Sequence, residues 1–211
     1  MTLDHLLLAG PDLTVLAQLV EERTGLRAQR GGRHLGHGTH NALLGLGEGR
    51  YLELLAPDPG QDGGGFSDMI AHLASPALHT WCARAGVADD VARRVKAAGA
   101  TPRRVPMQRQ RADGVRLAWE LVFVDAHDYG PLVPFFIDWQ GAPHPAAQLP
   151  AGLELHAVTL EHPDAEGLGA LLARLGGLPT GVRLQQGERA AISADVHHAG
   201  GRWQLAGPVA T

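Results

Sequence analysis

Gly38-Thr39-His40-Asn41-Ala42-Leu43-Leu44, followed after a glycine turn by Tyr51-Leu52-Glu53-Leu54-Leu55-Ala56-Pro57, is the stretch on which the fold of this chain turns. Both segments are short apolar runs, and Gly47-Glu48-Gly49 between them is a hairpin signal. Upstream, residues 27–33 read as another strand, and residues 3–9 as an apolar opening strand that stops at Gly10-Pro11-Asp12. Between those two strands Leu13, Leu16, Leu19 and Val20 recur at helical spacing, with Pro11 near the start and Gly25 as the stop. Residues 1–57 thus predict one βαβββ unit.

Asp58-Pro59-Gly60-Gln61-Asp62-Gly63-Gly64-Gly65 breaks all periodicity and separates this unit from the rest of the chain. The same order then returns: a strand at 78–84, an amphipathic helix at 89–98, and strands at 103–108, 115–124 and 134–139. Ala142-Pro143-His144-Pro145 breaks the chain again, since proline neither donates to a ladder nor continues a helix. A third run has a strand at 153–160, a helix at 165–175, and strands at 182–186, 190–196 and 202–205. An internal repeat supports this division. Asp4-His5-Leu6-Leu7-Leu8 matches Leu155-His156-Ala157-Val158-Thr159, and Arg50-Tyr51-Leu52-Glu53-Leu54 matches Arg202-Trp203-Gln204-Leu205 with one residue missing. The expected class is α+β. Modules at 1–57 and 76–141 pair into one domain over 1–141, and a third module occupies 150–208.

These segments resemble the glyoxalase-like domain of the vicinal-oxygen-chelate superfamily. The resemblance lies in Asp4-His5 on the opening strand, the Gly38-Thr39-His40-Asn41 turn, and the closing Tyr51-Leu52-Glu53. It extends to Pro134-Phe135-Phe136-Ile137-Asp138-Trp139 at the end of the second module. It covers residues 3–140 directly and 150–206 through the repeat. It implies modules curling into an open half-barrel sheet around a cavity.

In metal-bearing members the ligands come from the first and last strands of each module. The resemblance therefore implies His5 and Glu53 in the first module, Trp81 and Asp138 at the matching places in the second, and His156 and Gln204 in the third. Trp81 departs from the pattern because an indole has no lone pair to offer. The implied ligand set is His5, Glu53, Asp138 and His156, with Glu53 also the catalytic group. Mixed nitrogen and oxygen donors suit a divalent ion such as Zn, Ni, Mn or Fe, acting as a Lewis acid. Asn41, Trp81, Trp119 and Trp139 are the expected substrate-binding residues. His34, His37 and His40, spaced by three, read as a polar hairpin with solvated histidines, and Cys82 as a small buried hydrophobe.

Composition narrows the partners. Of 211 residues 45% are apolar, enough for a packed core, and the formal net charge of -4 leaves no electrostatic footprint for nucleic acid or an anionic membrane. A single cysteine excludes an intramolecular disulfide, and the opening residues lack the pattern of a secretion signal, so a cytoplasmic location is expected. No apolar run is long enough to span a bilayer. An odd number of modules leaves one without a partner and predicts a homodimer. Three functions fit: a metal-dependent lyase, isomerase or dioxygenase acting on a small oxygenated molecule, a metal-free protein that binds and sequesters a small molecule, or an interaction scaffold whose extra module buries an interface with a second chain. Trp81 at a ligand position favours the second.

Overall fold

The computed structural model describes residues 1–110 and 116–208. The first module is β1 (Thr2–Ala9), α1 (Leu13–Thr24), β2 (Gln29–His34), β3 (Thr39–Gly45) and β4 (Tyr51–Pro57). A short helix, α2 (Phe66–Ile70), comes after the glycine-rich break. The second module is β5 (Ala77–Arg84), α3 (Ala88–Ala97), β6 (Thr101–Gln110), β7 (Arg116–Asp125) and β8 (Phe135–Asp138). Val115, where the seventh strand was expected to begin, lies outside the described residues.

Helix α1 forms where the sequence provides its ends, whereas Val87 gives α3 no side-chain cap of its own. Asp12 caps α1, its Oδ1 accepting from the backbone N–H of Thr14 and Val15 at 2.6 and 3.2 Å, and Gly25 closes it at φ 71°. Leu16 and Val20 then lie on one stripe and are wholly buried against the sheet. On α3 the buried stripe is Val91, Ala92 and Val95.

The two modules join in one sheet of eight strands, in the order β2-β3-β4-β1-β5-β8-β7-β6. Each opening strand lies parallel to its own closing strand, β1 to β4 and β5 to β8, and the two opening strands meet antiparallel at the centre. The sheet curls far enough to bring β2 and β6 near one another. This is the expected half-barrel. Its outer face packs on α1 and α3 through Leu6, Leu52, Leu54, Trp81 and Phe136.

The C-terminal unit holds β9 (Glu154–His162), α4 (Ala165–Leu175), β10 (Val182–Gln186), β11 (Ala191–His198) and β12 (Gly201–Ala206). Its element order repeats the modules, but its sheet order, β10-β9-β11-β12, does not. Here the parallel neighbour of the opening strand is the strand straight after the helix, and β12 pairs with β11. The unit lies on the helical side of the half-barrel: α4 packs on α3, and β11 and β12 approach β5. The Leu155 N–H donates to Leu46 O at 3.1 Å, stitching the two sheets together. The module thought to lack a partner thus packs within its own chain.

Trp81 does not enter the half-barrel cavity. Side chains alternate across a strand, and Trp81 falls on the helical face, wholly buried, its Nε1 donating to Leu132 O at 2.9 Å. Trp81→Phe, which loses that bond and some volume, is expected to cost about 1–3 kcal/mol in urea unfolding while leaving the affinity of any cavity ligand unchanged.

Candidate functional site

Two bulges build the site. Along β1 and β5, Leu3 pairs with Ala83 and His5 with Cys82, so Asp4 is an extra residue; Leu7 pairs with Thr80 and Leu8 with Leu78, so His79 is another. A bulge turns consecutive side chains out of strict alternation. Asp4 accordingly lies against His5, whose ring lines the cavity, and His79 and Thr80 both line the cavity wall.

Asp4 has no exposure to water. Its Oδ1 is 2.7 Å from His5 Nδ1, and its Oδ2 accepts from Trp139 Nε1 and His144 Nε2, both at 3.0 Å. Arg84 Nε is an ion-pair partner at 3.0 Å. Burial alone would raise the Asp4 carboxyl, but the bonds from His144, His5 and Trp139 outweigh it and hold the group well below the usual carboxylate range. The ionised Asp4 accepts the Nδ1 proton of His5, so in a neutral imidazole the lone pair sits on Nε2. That Nε2 is buried with no hydrogen-bond partner among the described residues, and Glu53 Oε2 lies 3.4 Å from it.

Glu53 is held from its other side. Asn41 Nδ2 donates to Glu53 Oε1 at 2.6 Å and sits 3.3 Å from His34 Nε2, while Asn41 Oδ1 accepts from the Gly32 N–H at 2.9 Å. Gly31 is the unpaired bulge residue of β2, and a Cβ there would overlap the Asn41 carboxamide. The glycine makes room for the amide, and the Gly32 N–H fixes which end of it faces Glu53. Asn41 is therefore committed to positioning a carboxylate. His34 is buried in this network, with Thr39 Oγ1 2.9 Å from its Nδ1, which corrects the reading of a solvated hairpin.

Beyond this polar end the cavity is walled by aromatic rings. Phe123 and Phe135 stack at 5.3 Å, and the Trp119 and Trp139 rings lie 5.7 Å apart. From α2 come Phe66, Met69 and Ile70. Sequence reading missed this helix, although those three apolar residues stand at i, i+3 and i+4 directly after the glycine run.

Of the implied metal ligands, only His5 and Glu53 come together. Asp138 serves α3 instead: its Oδ2 accepts from the Ala88 N–H at 2.9 Å and its Oδ1 from the Gln140 N–H at 2.9 Å. His156 lies exposed on β9, stacked at 5.1 Å on His197, and Gln204 pairs with Asp195 of β11. The true counterparts come from the fold. Each opening strand ends four positions before its helix begins, Ala9 before Leu13 and Arg84 before Ala88, so Thr80 takes the place of His5. Leu7 pairs with Glu53 as Cys82 pairs with Phe135, so Phe135 takes the place of Glu53.

The Thr80 hydroxyl donates to Pro131 O at 2.9 Å, and a phenyl ring has no donor atom. Asp4, His5 and Cys82 also present donor atoms within 4.8 Å of one another. Asp4 is already engaged by four groups, and burial pushes the Cys82 thiol up, away from the thiolate a metal needs. The residues present do not fit a four-ligand cage.

A family model described as Glyoxalase-like domain matches residues 3–176. The chain belongs to that family. No curated protein matches it. Among solved structures it is similar to a hypothetical protein from Staphylococcus aureus, 14% identical, with a TM-score of 0.69 over 90% of this chain and 87% of that one. It is also similar to a variant of the Streptomyces coelicolor methylmalonyl-CoA epimerase in complex with 2-nitronate-propionyl-CoA, 16% identical, with a TM-score of 0.51 over 69% of this chain and 99% of the other. A methylmalonyl-CoA epimerase in complex with methylmalonyl-CoA and NH4+ gives 16% identity and a TM-score of 0.51 over 68% of this chain and 98% of the other. These likenesses show the fold: the eight-stranded half-barrel is of the vicinal-oxygen-chelate type.

Two outcomes test this geometry. Asn41→Asp keeps the shape but sets a carboxylate against Glu53 Oε1, and is expected to lose about 1–3 kcal/mol in urea unfolding at pH 8 and less at pH 5. Burial, with His72 beside it, pushes His79 down to about 4. Between that value and the ordinary pKa near 6.5 the unfolded chain binds the proton that the folded chain refuses, so stability falls with falling pH by roughly 1.4 kcal/mol per unit for this residue. His79→Phe should remove that share of the slope from a pH series of melts.

Proposed function

We propose that this chain is a small-molecule enzyme of the proton-transfer type, an isomerase or lyase, working without a metal ion. The observation that carries the reading is buried His5, whose Nε2 has no hydrogen-bond partner among the described residues, backed by Asp4 and lining a ring-walled cavity. A proton taken from the substrate by Nε2 makes an imidazolium flanked by two carboxylates, Asp4 at 2.7 Å on Nδ1 and Glu53 at 3.4 Å on Nε2. Both favour the charged ring, which lowers the barrier to removing the proton and allows its return to a neighbouring atom. Glu53, the catalytic residue expected from the sequence, supports that charge, with Asn41 keeping its Oε1 occupied. His5 takes the role of base. The aromatic wall excludes water and holds the apolar body of the substrate.

The aromatic lining equally suits a protein that only binds its ligand, the second reading. Isotope exchange separates the two. A panel of small ring-bearing aldehydes and ketones with acidic C–H bonds is incubated with the protein in D2O and followed by proton NMR. Deuterium is expected to enter at least one compound, with exchange lost in His5→Gln and slowed about 100-fold in Glu53→Gln. Chelating agents should leave the rate unchanged. Ligands that bind with no gain of deuterium would establish the sequestering role, and exchange that vanishes on chelation and returns with a divalent ion would restore the metal-dependent enzyme.

A further inference from the structure

The second bulge places a polar group that the proton-transfer reading does not use. His79 lines the same cavity as His5, is 9% exposed, and is held by no hydrogen bond to the described residues. A titratable neighbour is the exposed His72, with ring centroids 5.9 Å apart. The adjacent Thr80 hydroxyl is committed to Pro131 O. Its nitrogens are not among the sealed, unsatisfied atoms of the described residues, so they remain open to a hydrogen bond from whatever the cavity holds.

Strand register gives the spacing. His5 pairs with Cys82 and Leu7 with Thr80, and His79 comes one residue further along β5. At roughly 3.3 Å per residue and about 5 Å between strands, the two histidines are about 11 Å apart at their backbones. One six-membered ring with a hydrogen bond at each end spans a gap of that order. Phe123, Phe135, Trp119 and Trp139 supply the faces against which such a ring stacks.

We propose that His79 is a second ligand-binding group, and that the ligand is a ring-bearing molecule with two polar functions. One meets the His5–Glu53 end, and the other, an uncharged hydroxyl or carbonyl, meets His79. This rests on the reading of the cavity as the ligand site, but not on any reaction there. His79 stays uncharged near neutral pH, so it offers a hydrogen bond and no counter-charge for a carboxylate.

Isothermal titration calorimetry of the full chain with three phenols tests it. 4-Hydroxybenzyl alcohol carries the second hydroxyl, 4-methylphenol lacks it, and 4-hydroxybenzoate replaces it with a charge. The alcohol is expected to bind wild type roughly tenfold more tightly than 4-methylphenol, and 4-hydroxybenzoate to gain nothing. In His79→Phe the preference for the alcohol should disappear while 4-methylphenol binds at least as well as before, a result that also shows the variant is folded. A preference that survives in His79→Phe would overturn the proposal, as would equal affinities in wild type or no binding of either compound at millimolar concentration. Titration reads binding alone, so a carbonyl panel that gains no deuterium would refute the reaction and leave this assignment standing.

Discussion

A carboxylate sealed from water must be matched by donors or positive charge, and Asp4 is matched by three hydrogen-bonding side chains and one arginine. His5, Trp139, His144 and Arg84 all converge on it. They come from β1, from the end of β8, from the segment leading to the C-terminal unit, and from β5. His144 accepts the Ala146 N–H on its Nδ1, at 3.3 Å, which leaves Nε2 to donate to Asp4. Removing any one donor leaves a buried charge less well satisfied, so the arrangement resists piecemeal change. The orientation of the His5 ring, and with it the direction of its free nitrogen, depends on this junction.

Much of the architecture is legible in the sequence. Apolar runs and glycine turns mark nearly every strand within a residue or two, and α4 and β10 begin and end where the pattern predicts. Capping makes this so: Asp12 and Gly25 bound α1, and Asp164 accepts from the Gly167 N–H at 2.9 Å to start α4. The pairing of His5 with Glu53 is also legible, because parallel β1 and β4 bring the opening and closing strands side by side.

The misplacements share one physical origin. Strand side chains alternate with a period of two, so a single extra residue exchanges the inner and outer faces. The bulge at His79 puts Trp81 among the helices and moves the counterpart of His5 to Thr80. No local signal in Leu78-His79-Thr80-Trp81 announces that bulge. Asp138 is misread for a different reason: its partner is the Ala88 N–H, fifty positions away, and only the folded chain brings the end of β8 to the start of α3. The C-terminal unit repeats the order of elements but not of strands, since the order within a sheet is set by what each strand packs against.

The half-barrel does not wholly contain its own cavity. Pro145 forms part of the wall and His144 reaches back to Asp4, yet both belong to the segment that joins the two sheets. A fragment cut after β8 would keep all eight strands and lose that piece of the enclosure, together with two donors to the sealed carboxylate, Trp139 and His144. Grafting the pocket onto a two-module scaffold would therefore have to carry residues 139–146 along with the barrel. The smallest unit that preserves the chemistry is larger than the sheet that displays it.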